Sequence, residues 1–168
     1  MPASEPSSLR ATSAAHHAAL LPHVDRLLEI AEAVGRVDCS ALHDRFDVEY
    51  DFVAGQLVPH MDTVETTLYG HLEHLMGPRH TMEPMREEHA TIRRLVSELG
   101  AYRAHGEDCA WSELEGLALR RTLYRLHALL KVHLAEEELY LGVLDRSLSD
   151  EEKDRLAHGL DHAMAEPL

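Results

Sequence analysis

The stretch HLAEEELY, His133 to Tyr140, sets an imidazole four residues before the carboxylate of Glu137. Side chains four apart on a helix share a face, so these two can grip one cation. A solvated acidic turn that begins with histidine has the same sequence, and the stretch alone does not choose between them. The wider composition bears on the choice, because the chain carries 14 histidines in 168 residues.

An internal repeat orders those histidines. HAALLPHVDRL from His17 aligns without a gap on HATIRRLVSEL from His89, and LVPHMDTVETTL aligns on LKVHLAEEELYL. His60 then falls opposite His133, and Glu65 opposite Glu138. His17 and His60 are 43 residues apart, His89 and His133 are 44 apart. Each half therefore reads as a helical hairpin with one histidine on each arm, and two hairpins packed antiparallel bring four histidines to one level. At about 100° per residue, His133, Glu137 and Tyr140 share a stripe with Leu126, Leu130 and Leu144, and His89 shares one with Met82, Met85, Ile92 and Val96. Both stripes are apolar, so the imidazoles point into a core. An unsatisfied buried polar group costs about 1–3 kcal/mol. A lone core histidine usually meets that cost with a hydrogen bond; four at symmetric depth beside a His-x-x-x-Glu favour a bound metal.

The elements that must hold these residues are helices. Helix formers dominate, no window alternates polar with apolar residues for long, and Gly and Pro act as punctuation. Four long helices are expected over about residues 10–35, 41–76, 80–104 and 111–146, separated by RVDCS, MGPRHT and AHGEDC. A shorter fifth helix begins at SDEEKDRLAHGL, where Ser149 and Glu152 make a capping-box signal. The expected fold is all-α, an up-down four-helix bundle over residues 10–146, with a flexible leader at 1–9 and a C-terminal helix and tail at 147–168.

In the order and spacing of these motifs, the chain resembles the hemerythrin-like proteins, the HHE cation-binding domain family, over about residues 10–146. The resemblance rests on His16–His17 opening the first helix, PHMDTVETTLY in the second, MREEHATI in the third and HLAEEELYLGVL in the fourth. It implies two non-haem irons, oxo- or hydroxo-bridged, with zinc or manganese as substitutes, and dioxygen, nitric oxide or peroxide as the small-molecule partner. Carried onto this chain, it implies imidazole ligands from His17, His60, His89 and His133 and a bridging carboxylate from Glu137. His17 is preferred to His16 because the repeat aligns it with His89, which leaves His16 as an outer or surface residue.

One departure stands out: where the family's second helix carries glutamate four residues after its histidine, this chain has Val64. Glu65 is the candidate replacement, although a regular helix leaves it about 140° from His60; Pro59 is a plausible source of the distortion it needs. His23, about 9 Å along the first helix from His17, is the candidate for a fifth nitrogen or for a hydrogen-bonded supporting role. His71 and His74 lie too far along their helix, by about 16 Å for His71. His158 and His162, Glu136 and Glu138 read as surface or supporting residues, and Tyr140 as core or a nearby hydrogen-bond donor.

Other classes fit poorly. No Glu is followed three residues later by His, which disfavours the ferritin-like carboxylate centres, and no His-Glu-x-x-His occurs. A formal charge of −14 argues against nucleic acid and anionic membrane as partners. No apolar run reaches the roughly 20 residues of a membrane span, and the first residues lack a signal-peptide pattern, so a cytoplasmic monomer or small homo-oligomer is expected. Cys39 and Cys109 are read as free loop thiols. The competing functions are a dioxygen- or nitric-oxide-binding module, a di-iron enzyme that decomposes peroxide or handles iron and nitric oxide stress, and a metal-poor interaction bundle.

Overall fold

The structure is a computed structural model that describes residues 9–106 and 111–165, with side chains described over 13–104 and 111–158. The chain is all-helical, with no strand among the described residues: α1 (Leu9–Ala33), α2 (Cys39–Phe52), α3 (Val58–Val64), α4 (Gly70–Met76), α5 (Glu83–Gly106), α6 (Glu113–Ser147) and α7 (Asp150–Ala165). Two π-helical turns, Val53–Leu57 and Glu65–Tyr69, join α2 to α3 and α3 to α4. The backbone stays right-handed helical through the junctions, so residues 39–76 form one rod. Five rods result.

Local chemistry explains where the rods begin and end. Asp38 accepts a hydrogen bond from the Ser40 amide at the start of α2. Ser112 and Glu115 form a full capping box at α6, and the Glu152 carboxylate accepts from both the amide and the hydroxyl of Ser149 ahead of α7. Gly77, at φ 80°, ends α4 in a conformation that glycine adopts without penalty. The third long helix begins at Glu83, a few residues later than the sequence suggests. The connection is pinned first: Glu73 accepts from the Met82 amide at 2.8 Å and Thr81 from the Glu83 amide at 3.1 Å.

The first π turn has a stereochemical cause next to it. Pro59 lacks an amide hydrogen, and its ring would collide with the carbonyl four residues earlier in a regular helix. Widening the preceding turn relieves that collision, and Val58 N–H bonds back to Val53.

α6 packs along both α1 and α5, while α2 lies against the same two helices. α7 covers α1, α3 and the second π turn. The apolar interior is not continuous. One cluster contains Leu20, Val24, Met61, Ile92, Leu130 and Leu134; the other contains Val64, Leu68, Met85, Leu141 and Leu144. On α5 the break between the clusters falls at His89 and on α6 at Glu137; buried His60 on α3 and His133 on α6 lie within about one turn of it, and buried His17 stands at the end of the α1 residues that line the first cluster. A polar layer thus crosses the core. Among the described residues no helix is long and apolar enough to cross a membrane.

Candidate metal centre

Five polar side chains, each less than 5% exposed, meet in that layer. Glu137 stands at its middle, and its two oxygens face different neighbours. Oε1 lies 3.5 Å from His17 Nε2 and 3.6 Å from His60 Nε2, whereas Oε2 lies 3.7 Å from His133 Nε2. His133 Nε2 in turn lies 3.0 Å from His89 Nε2. The four histidines and Glu137 expected from the sequence are therefore brought together, and the ligand atoms of His17, His60 and Glu137 all lie within 4.8 Å of one another.

The far sides of two imidazoles are held by carboxylates. His89 Nδ1 lies 2.9 Å from Glu65 Oε2, and His133 Nδ1 lies 2.8 Å from Glu88 Oε2. A carboxylate accepts, so each Nδ1 carries the proton and donates. Each Nε2 is then a lone pair, and the two lone pairs point at each other. Burial lowers the pKa of both rings, the neutral form a metal requires. Burial also works against ionisation of Glu137, but the facing His17 and His60 rings outweigh it and hold that carboxyl below its usual range.

These atoms fit a cation. Neither Glu137 oxygen and neither ring nitrogen of His17 has a hydrogen-bond partner, although all four are buried. A cluster of that kind is costly on its own terms. Two donor atoms that each sit about 2.1 Å from one ion are roughly 3.0–3.5 Å apart, close to the spacings found around Glu137. Imidazole with carboxylate suits iron, zinc and manganese alike.

Glu65 does not face the cluster. α3 is regular from Val58 to Val64, so nothing turns Glu65 toward His60; the widened turn starts at Glu65 itself. Its carboxylate reaches across to α5 instead, where the His89 hydrogen bond and then Arg93 lower its pKa. Val64, in the position of the missing glutamate, is buried in the second apolar cluster. His23 is likewise outside the centre. Nearly two turns along α1, it meets α2 and not α3: its ring stacks on Phe52 at 3.5 Å, with Nδ1 2.8 Å from Glu49 and 2.7 Å from Arg26. Of the two roles the sequence offers His23, its hydrogen-bonded setting on Glu49 and Arg26 resembles the supporting one.

Three residues near the centre were given other roles or none by the sequence. His16, read as an outer residue, sits with its ring 4.5 Å from that of His60 and its Nε2 buried without a hydrogen bond. Burial first, then the His60 and His17 rings, push its pKa down to about 4. Tyr69 is buried, and its hydroxyl donates to His89 Nε2 at 3.1 Å. Burial, reinforced by Glu137, Glu65 and Glu88, raises its pKa and keeps the phenol protonated. Glu88 is the third, adjacent in sequence to His89 yet bonded to His133. The double histidine HH at 16–17 was the available signal for His16; nothing in the spacing marked Tyr69.

The remaining candidates are not members of the buried layer. His71, His74 and His158 are exposed, Glu138 is half exposed at 3.6 Å from His17 Nδ1, and Tyr140 packs on the second apolar cluster. Glu136 is half-buried, and burial together with Glu88 raises its pKa. The side chains of Cys109 and His162 lie outside the described residues.

A family model described as the hemerythrin HHE cation binding domain matches residues 11–144. No curated protein and no solved structure matched the chain. The matched span contains every residue of the polar layer, and over it the chain belongs to the hemerythrin HHE cation-binding domain family.

Proposed function

We propose that this chain is a non-haem di-iron protein on an up-down four-helix bundle, α7 being an addition to it, and that its centre binds dioxygen or nitric oxide. The observation that carries this reading is the division at Glu137: Oε1 faces His17 and His60, Oε2 faces His133 and through it His89. One carboxylate between two imidazole pairs is the donor set for two ions that share a bridge. Iron bound there would supply the electrons and open coordination positions that a diatomic ligand needs.

The protein's own part is to orient and to exclude water. Glu65 and Glu88 fix the rings of His89 and His133 from behind, the arrangement that gives metal-bound histidines their direction and basicity. Leu134, Leu141, Val64 and Met61 bracket the layer with apolar side chains. With a single buried glutamate in place of the family's two, fewer positions are filled by protein, which supports small-ligand access.

Tyr69 favours a second reading, a di-iron enzyme that decomposes peroxide. Its protonated hydroxyl is a proton donor inside the layer, and peroxide cleavage requires a proton at the departing oxygen.

The test is a set of visible spectra of reduced, iron-loaded protein prepared without oxygen. New bands that form with oxygen or nitric oxide and vanish when the gas is removed support the first reading. Steady gas evolution from hydrogen peroxide with no reversible band supports the second. No response to any of the three contradicts both.

A further inference from the structure

The two ends of the polar layer are built differently. At one end, His89 and His133 are each held from behind by a carboxylate, Glu65 at 2.9 Å and Glu88 at 2.8 Å. At the other, neither ring nitrogen of His17 has a hydrogen-bond partner, and carboxylate oxygens of Glu137 and Glu138 stand 3.5 and 3.6 Å away. What this end has instead is a third imidazole. His16 precedes His17 on α1, about 100° round the helix, and its ring centre lies 4.5 Å from that of His60 and 6.5 Å from that of His17.

The three rings have the spacing of ligands to one ion. A nitrogen about 2.1 Å from a metal puts its ring centre about 3.2 Å from it, so two such rings lie about 4.5 Å apart at a right angle and about 6.4 Å apart on opposite sides. The separations here, 4.5 Å for His16 and His60, 5.7 Å for His17 and His60 and 6.5 Å for His16 and His17, run from the first limit to the second. His60 is the middle ring. The donor atom is also in the wrong place for an ordinary histidine: His16 is half-buried, yet its Nε2 is buried without a hydrogen-bond partner. A surface histidine turns that nitrogen to water, and a core histidine bonds it. His16 does neither. Its nitrogens stand outside the 4.8 Å cluster of His17, His60 and Glu137, as do those of His89 and His133, so a turn of the ring toward His60 accompanies binding.

We propose that His16 is a ligand of the ion held by His17, His60 and Glu137 Oε1. The inference rests on the dinuclear reading above and makes the two ions of that centre unequal, with three imidazoles on one and two on the other. Selection of the metal, and of the ion that keeps an open position for a small ligand, then differs between the two ends of Glu137.

The experiment is a titration of metal-free protein with iron(II) under argon, in competition with a chelator of known affinity. The native chain takes up two equivalents. His16→Gln keeps a polar side chain but no imidazole, and it weakens one equivalent by more than roughly a hundredfold, beyond the roughly 10–100-fold loss that follows removal of a hydrogen-bonded neighbour of a ligand. The other equivalent is unchanged. Glu65→Ala, which acts behind His89, weakens that other equivalent, and the double variant loses on both. Cobalt(II) loading of the native protein supplies a readout that needs no variant, because the ion displaces the proton resonances of every ring it binds: displaced signals are expected from His16, His17, His60, His89 and His133. Native affinity for both equivalents in His16→Gln, or a cobalt spectrum without displaced His16 signals, overturns the assignment and leaves the dinuclear reading standing. Equal weakening of both equivalents in His16→Gln marks a packing role and also overturns it. A native chain that stops at one equivalent, which His16→Gln still weakens, overturns the dinuclear reading and leaves His16 a ligand; a native chain that takes up none overturns both.

Discussion

Glu65 Oε2 lies 2.9 Å from His89 Nδ1, so the acid that the sequence offers as a bridge grips a histidine from behind. Arg93 reaches the same oxygen at 3.3 Å and keeps it charged. The consequence is directional: with Nδ1 donating to Glu65, His89 has only Nε2 to present to the interior, where His133 Nε2 stands 3.0 Å away.

Removing that grip is therefore expected to weaken metal binding without dismantling the centre. Glu65→Ala lowers metal affinity about 10–100-fold, the usual cost of losing a hydrogen bond behind a histidine ligand. Competition against a chelator of known affinity measures it. An affinity equal to that of the native protein would contradict the assignment.

Val64→Glu restores the residue type that the family carries four residues after the second-helix histidine. Val64 is 1% exposed among apolar neighbours, so without metal a glutamate there costs roughly 2–4 kcal/mol. Metal repays that cost by taking the new carboxylate as a ligand. Thermal melts should show a lower Tm for the metal-free variant than for the native metal-free protein, with a larger rise on loading and greater metal retention. An equal rise on loading in the two proteins would show that the position does not face the metal.

The metal-free protein should lose stability as pH falls below 6.5. His16 in the folded chain has a pKa of about 4, below the ordinary 6.5. Between those values the unfolded chain binds the proton and the folded chain does not, so the contribution is present above pH 6.5 and is lost as pH falls toward 4. Burial depresses His89 and His133 in the same direction. Below about pH 4.5 the lowered Glu137 and Glu65 carboxyls add a further loss. His16→Gln should flatten the slope of Tm against pH between 6.5 and 4; a native-like slope in that variant would remove His16 from the cluster.

Much of the helical arrangement was legible because it depends on local pattern. The repeat put His17, His60, His89 and His133 at matching depths, and helix period alone put Glu137 on the face of His133. What was not legible depends on neighbours or on broken period. His23 shares the buried side of α1 with His17, but its partner Glu49 belongs to α2, and no spacing in the chain records that contact. Tyr69, nine residues after His60, would face the opposite side of a regular helix; the π turn over Glu65–Tyr69 takes back roughly a quarter turn and lets its hydroxyl reach His89. Pro59 signalled irregularity in this rod correctly, yet it did not say that the turns would widen before and after α3 and leave the stretch from His60 to Val64 regular.

The central claim is that one buried glutamate joins two pairs of imidazoles around a pair of ions. Its most direct test is the metal content, by elemental analysis, of native protein and of Glu137→Gln produced side by side with ample iron. Near two irons per chain in the native protein, with most of that content lost in the variant, is the predicted result. A native chain without metal, or a variant that keeps both irons, would contradict it.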